Sequence, residues 1–174
     1  GYHWSPSNTE IKGIIGVEKQ LTSMINDPTS EVNTLNEAGI VTVFNSYGTG
    51  FKTWGNRSAA YPTSTNVTNF INIRRTADIL HESVEYSMLQ FIDYPIDNGL
   101  IESITETVNS FIRTLIGRGA LIDGKCTYNA DKNPVTEIAN GHILFDVEFM
   151  PPVPAERITF ESFIDIELLK SLGA

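Results

Sequence analysis

Cysteine is nearly missing from this chain, with Cys126 the single example among 174 residues. No internal disulfide can form, so folding does not depend on an oxidising compartment, and a reducing one fits. Long apolar runs are missing too; none approaches the roughly 18 to 20 residues that cross a bilayer. Basic residues are few, 12 Lys and Arg against 21 Asp and Glu, for a net charge of −9. That deficit excludes general nucleic-acid binding, which needs a basic face to meet phosphates, while leaving room for a local basic patch. The sequence holds no low-complexity tract, internal repeat, G-x-S-x-G or P-loop, and Gly48, Gly50 and Gly55 do not form a G-x-G-x-x-G opening a helix. These glycines are expected at turns that need positive φ. The N-x-S/T matches at Asn56 and Asn66 read as chance.

What is present is globular: 41% of residues are hydrophobic and 19% charged, in a length that suits one domain or a domain with an appendage. The chain opens without Met in loop-like sequence, "GYHWSPSN", and is expected to be an excised or processed piece of a longer protein. Residues 1–29 are turn-rich, with one predicted strand at Ile11 to Val17. Ser30 and Gly39 bracket a short helix as N-cap and terminator, and "IVTVFNSYGTGFKTWG" predicts two strands around a turn at Gly48 to Gly50.

The middle of the chain carries the strongest periodicity. Ile73, Ala77, Leu80, Val84, Met88 and Phe91 recur three or four residues apart, predicting a helix from about Ile71 to Phe91 that Pro95 closes. Leu100, Ile104, Val108, Phe111 and Leu115 predict a second helix from about Asp97 to Gly117, and the short connection predicts antiparallel packing. Beyond lie a strand or hairpin near Ala120 to Tyr128, a turn at "ADKNP", a helical turn in "VTEIANG", and two runs of strand-like alternation. The first passes through Ile143, Phe145, Val147 and Phe149, the second through Ile158, Phe160, Ile164 and Ile166. The expected class is α+β: a long antiparallel helix pair on a small mixed β-sheet, with an extended C-terminal strand and an N-terminal α/β appendage. Residues 1–60 form the appendage and 61–174 the main domain, its terminal arm starting at about 151.

Candidate chemistry is thin. "HESVE" sets His81 and Glu85 one helical turn apart with Glu82 between, a partial match to H-E-x-x-H that lacks the second His ligand; a metal-dependent hydrolase is the alternative it supports. An exposed charged helix face gives the same string. Cys126 sits in a strand-like segment with only Lys125 beside it, the setting of an idle thiol. Four arginines are less ordinary. Arg74 and Arg75 begin the first long helix, Arg113 and Arg118 end the second, and antiparallel packing gathers them at one end. Residues 119–174, by contrast, carry four basic side chains against nine acidic ones. Such polarity suits docking between charged surfaces, although Arg113 and Arg118 also complement a helix C-terminus.

The connection between the last two runs raises a separate problem. Pro151, Pro152 and Pro154 remove three backbone donors and favour an extended path over a tight hairpin. A strand as apolar as the final one is hazardous as a bare edge. Either it returns to its own sheet, giving a monomeric binding module, or it completes a neighbour's sheet by strand addition.

The segments "SPSN", "TWGNRSAAYP", "FINIRRTADILHESVEYSMLQF", "SFIRTLIGRGALIDGKCTYN" and "GHILFDVEFMPPVPAERITFES", in this order, resemble the C-terminal half of tail sheath proteins of contractile bacteriophages, in the branch shared with R-type bacteriocins. Sheath proteins of type VI secretion are a related alternative. The resemblance covers essentially the whole chain and is strongest from Trp54 to Ser162. It implies a virion or bacteriocin structural protein, phage- or prophage-borne and assembled in the host cytoplasm, without enzymatic activity or cofactor. It further implies self-assembly into stacked sixfold rings around an inner tail tube, with baseplate and tail terminator as further partners and no membrane insertion. Terminal arms exchange strands between subunits, so Pro151, Pro152 and Pro154 become a stiff spacer and Ile158, Phe160, Ile164 and Ile166 the exchanged strand. Arg113 and Arg118, then Arg74 and Arg75, are implied as the tube-facing patch. Whole sheath proteins are longer and begin with an arm that this chain lacks.

Overall fold

The computed structural model describes residues 1–24, 26–45, 48 and 50–172. Helix α1 (Glu31–Glu37) starts after Ser30 and stops at Gly39, whose φ of 75° is left-handed. A Cβ at Gly39 would lie 2.5 Å from the Tyr61 carbonyl oxygen, so close approach of the 58–61 loop also demands glycine. Strands β1 (Thr42–Asn45) and β2 (Phe51–Trp54) pair antiparallel, Phe44 packing edge-on against Trp54. Their turn falls partly outside the described residues; Gly48 and Gly50 have the positive φ expected of them. The strand predicted at Ile11 to Val17 does not form. Pairing is confined to residues 8–11, which run along β2 through Asn8 N–H to the Thr53 carbonyl, Thr53 N–H to the Thr9 carbonyl and Ile11 N–H to the Phe51 carbonyl; β2 starts at Phe51, so the residues after Ile11 have no strand beside them.

The two long helices follow the apolar stripes. Helix α2 (Ile71–Met88) passes into a 3-10 turn over Leu89–Phe91, and α3 (Asn98–Gly117) starts where the Asp97 carboxylate accepts the Leu100 N–H at 2.7 Å. Asn72 near the start of α2 and Arg118 and Gly119 just past α3 line one cleft, so the helices run antiparallel. Leu80 of α2 packs with Val108, Ile112 and Leu115 of α3, joined by Ala120, Leu121 and Cys126. Phe111, predicted inside the stripe, is only partly buried, whereas Ile112 is 1% exposed.

Strand β3 (Asp123–Tyr128), the short helix α4 (Val135–Ala139) and strand β4 (Phe145–Met150) complete the body. β3 and β4 pair antiparallel from Asp123↔Met150 to Tyr128↔Phe145. The fold is thus α+β as predicted, with two small antiparallel sheets where a mixed sheet was expected. Gly124 lets α3 approach β3 closely: a Cβ there would lie 3.2 Å from the Ile112 side chain. Lys125 pairs with the directly opposite Glu148 at 3.4 Å, and Lys132 with Asp146 at 2.7 Å.

After β4 the chain behaves in two ways. Pro151 is fully buried, and the Pro152 carbonyl accepts a hydrogen bond from the Asn72 amide at 3.2 Å. From Arg157 to Leu172 neither hydrogen bonds nor ion pairs join the chain to the body among the described residues. The strand predicted through Ile158, Phe160, Ile164 and Ile166 is absent: the segment is extended without a partner, then forms a 3-10 turn over Ile166–Ser171. Its alternation is real, but a strand exists only where a second backbone takes up its hydrogen bonds. Phe160 is 88% exposed and Ile164 fully so.

Candidate functional site

The β3–β4 sheet has two outer edges, and they differ. The Asn109 side chain of α3 donates to the Cys126 carbonyl at 3.0 Å and accepts from the Cys126 N–H at 2.8 Å. A carboxamide thereby occupies the place of a neighbouring strand. Because both Cys126 backbone groups turn to Asn109, the Cys126–Val147 pair is the non-hydrogen-bonded kind. By alternation so are Gly124–Phe149 and Tyr128–Phe145. On β3, the outward N–H of Gly124 is taken by the Asp123 carboxylate at 2.8 Å. On β4, the backbone groups of Phe145, Val147 and Phe149 point away from β3 and have no partner among the described residues. One edge is closed by side chains and the other is open.

Asn133 uses the same two-point geometry at the start of β4, accepting from the Leu144 N–H at 2.7 Å and donating to its carbonyl at 2.9 Å. It continues the inner ladder past Tyr128. The open edge therefore sits on a strand secured on its inner side, and the chain that leaves this strand makes no backbone hydrogen bond from Arg157 to Ile164 among the described residues.

The arginines are less uniform than their spacing implied. All four are exposed. Arg74 is held by Asp78 one turn on, at 3.0 Å, and Arg113 pairs with Glu106. Arg75 and Arg118 have no ion-pair partner among the described residues, so the uncompensated charge rests on them.

The "HESVE" side chains do not converge. His81 sets its ring edge-on to Phe149, with centroids 5.6 Å apart, while Glu82 and Glu85 face solvent. Among the described residues no three His, Cys, Asp or Glu side chains gather as a metal ligand set. Cys126 is buried, and burial, then the negative Asp146, push its thiol up from the ordinary value. A thiol so shifted is a poor nucleophile. No helix among the described residues is long and apolar enough to cross a membrane.

Sequence reasoning missed Asn109, Asn133 and the pairing of Arg57 with Glu156. Asn109 sits beside Val108 on the apolar stripe, and a polar residue in that place is the signal that something there must receive its hydrogen bonds. Arg57 and Glu156 are 99 positions apart, and no local pattern joins them.

Fold and site together define a class: an α+β domain with one unfilled sheet edge and one unpaired terminal extension, the elements of an assembly subunit. The family model described as phage tail sheath C-terminal domain matches residues 63–165, and the chain belongs to that family. It is 51% identical over 172 residues to the tail sheath protein of Burkholderia phage BcepMu, covering 99% of this chain and 36% of that protein. Against the tail sheath protein of Escherichia phage P2 the identity is 26% over 172 residues, covering 99% of this chain and 42% of that one. The chain thus spans less than half the length of these relatives. Among solved structures, the sheath complex of an extracellular contractile injection system in its contracted state aligns over 97% of this chain and 47% of that one, at 18% identity and a TM-score of 0.82. The contracted helical sheath of the anti-feeding prophage aligns over 95% of this chain and 46% of that one, at 19% identity and a TM-score of 0.81. These two likenesses establish the fold.

Proposed function

We propose that this chain is the tube-proximal part of a contractile tail sheath subunit, and that it joins its neighbours by strand addition. The observation that carries the reading is that one molecule has both an open β4 edge and an apolar arm that no strand pairs among the described residues. Backbone hydrogen bonds supply the affinity of such a joint, and alternate side chains supply its register. The arm's own sheet is a poor receiver, because the proline run directs the chain away from a tight return. A neighbour's β4 is the complementary surface. Subunits joined in this way rotate and slide past one another during contraction while remaining linked. The energy resides in a metastable extended lattice that converts to a packing with more buried contact. Residues 1–60 belong to an outward-facing domain in this reading, and other sheath subunits, the inner tube, the baseplate and the tail terminator are its partners.

The test is light scattering across a concentration series on three forms of the chain: intact, truncated after Arg157, and carrying Val147→Pro. The last removes the outward N–H of β4 without removing a bond to β3. Association should be lost in both altered forms. Equal masses in all three would sink the reading.

Charge provides the second contact. The basic helix ends fit an acidic tube surface, through Arg118 and Arg113 and secondarily Arg75 and Arg74, and an electrostatic grip of this kind releases without breaking an apolar seal. Reversal of Arg118 and Arg113 should reduce co-assembly of the sheath with its tube, read by sedimentation. Unchanged co-sedimentation would rule the pair out.

A further inference from the structure

We infer that Arg57 forms a built carboxylate receptor whose occupant is Glu156, and that this clamp sets the hinge of the C-terminal arm at Arg157, not at the proline run. The receptor is made entirely by the body. The Arg57 guanidinium lies between two rings, its carbon 4.4 Å from the Tyr61 centroid and 4.2 Å from that of Phe70. Its backbone is fixed by an antiparallel bridge to Phe70. The two rings hold the cation in place, and its Nε–Nη2 edge meets the chain leaving β4. Nε donates to both Glu156 oxygens at 3.1 Å and Nη2 to one of them at 2.7 Å. The Arg57 side chain is 21% exposed, which sets this pair apart from the other Arg and Lys pairs, whose basic partners are all more than half exposed. A bidentate pair with a held, partly desolvated arginine is the kind that resists solvent competition.

Next to the clamp, Asn56 donates to the Asn72 carboxamide at 2.8 Å, and Asn72 donates to the carbonyls of Pro152 and His3, both at 3.2 Å. Residues 151–156 are thus fastened at a buried proline, a carbonyl and a carboxylate. The next residue begins the stretch without polar contacts to the body. The prolines stiffen a segment that is already docked, and bending is left to the positions after Glu156. This inference concerns how the arm leaves the body and does not depend on where the arm docks.

The test is proteolysis of the 174-residue chain with a glutamyl endopeptidase, each bond's rate normalised to that of the same bond in a peptide spanning residues 150–166. The Glu156–Arg157 bond should be cut about tenfold more slowly than Glu161–Ser162, the ratio expected when cleavage requires a charge-assisted pair to open. Arg57→Met keeps an apolar stem between the rings, removes the charge and should make the two rates equal. Glu156→Gln supplies an independent arm, read by trypsin at Arg157–Ile158, which should speed up by a similar factor. Equal normalised rates in the unaltered chain would overturn the clamp, as would rate ratios unmoved by both substitutions.

Discussion

Replacing Asn109 with alanine isolates the side chain that closes one edge of the main sheet. The carboxamide makes two hydrogen bonds to Cys126, at 2.8 and 3.0 Å, so the change leaves one N–H and one C=O without partners. Each bond contributes about 1 kcal/mol net, and a donor or acceptor left buried and unpaired costs about 1–3 kcal/mol. Cys126 is 2% exposed, which limits the access of water as a substitute. A loss of about 3 kcal/mol is therefore expected, or a fall in melting temperature of roughly 6–12 °C for a domain of this size. Urea unfolding should show a lower midpoint with an unchanged slope, because the surface exposed on unfolding barely differs. Amide exchange at Cys126 should accelerate together with the loss of stability. Asn109→Asp keeps the acceptor, turns a carboxylate towards the Cys126 carbonyl, and should do no better than alanine. If alanine costs less than about 0.5 kcal/mol, the range of an ordinary surface change, Asn109 is not the edge's partner.

Leu80→Ala removes a side chain that is 1% exposed and shared by α2, α3 and the sheet; the expected loss is about 3 kcal/mol, checked by thermal unfolding. A loss below about 1 kcal/mol would mean that the helices do not share this core. Glu31 provides a pH marker: its hydrogen bond from Lys19, at 2.7 Å, and then one from the Thr22 N–H hold its carboxyl below the ordinary glutamate value. A depressed folded-state value means that the contribution is complete above the unfolded value and disappears as pH falls through the folded one. The Thr22 amide resonance should therefore titrate below the usual glutamate range, and a midpoint at or above that range would exclude the pairing.

What the sequence revealed and what it hid divide along physical lines. The stripes through Ile73, Leu80 and Val84 and through Ile104, Val108 and Leu115 were readable because helical periodicity is a local property. Ser30 and Gly39 were readable for the same reason. The strand through Ile158 and Ile166 was readable only as an aptitude, since strand formation depends on a second backbone that this chain does not supply to it. The arginines were legible only as a spacing; Asp78 and Glu106, which neutralise two of the four, enter through side-chain reach. The contacts that close one sheet edge and hold the arm's root join residues 17 and 99 positions apart, and they became visible only with the fold.

The ion pairs on β4 bear on how such a molecule avoids itself. Beyond the Arg57 clamp, residues 157–172 carry three carboxylates, Glu161, Asp165 and Glu167, against Arg157 and Lys170, so in the proposed assembly two arms brought together would face each other with a small like charge. On β4, Glu148 and Asp146 are answered by Lys125 and Lys132. Under that proposal an arm would meet repulsion from another arm and a neutralised surface at β4. In the proposed strand addition the apolar alternation is indiscriminate, the two lysines would give it a direction, and a crowded pool of free subunits would be spared from joining arm to arm.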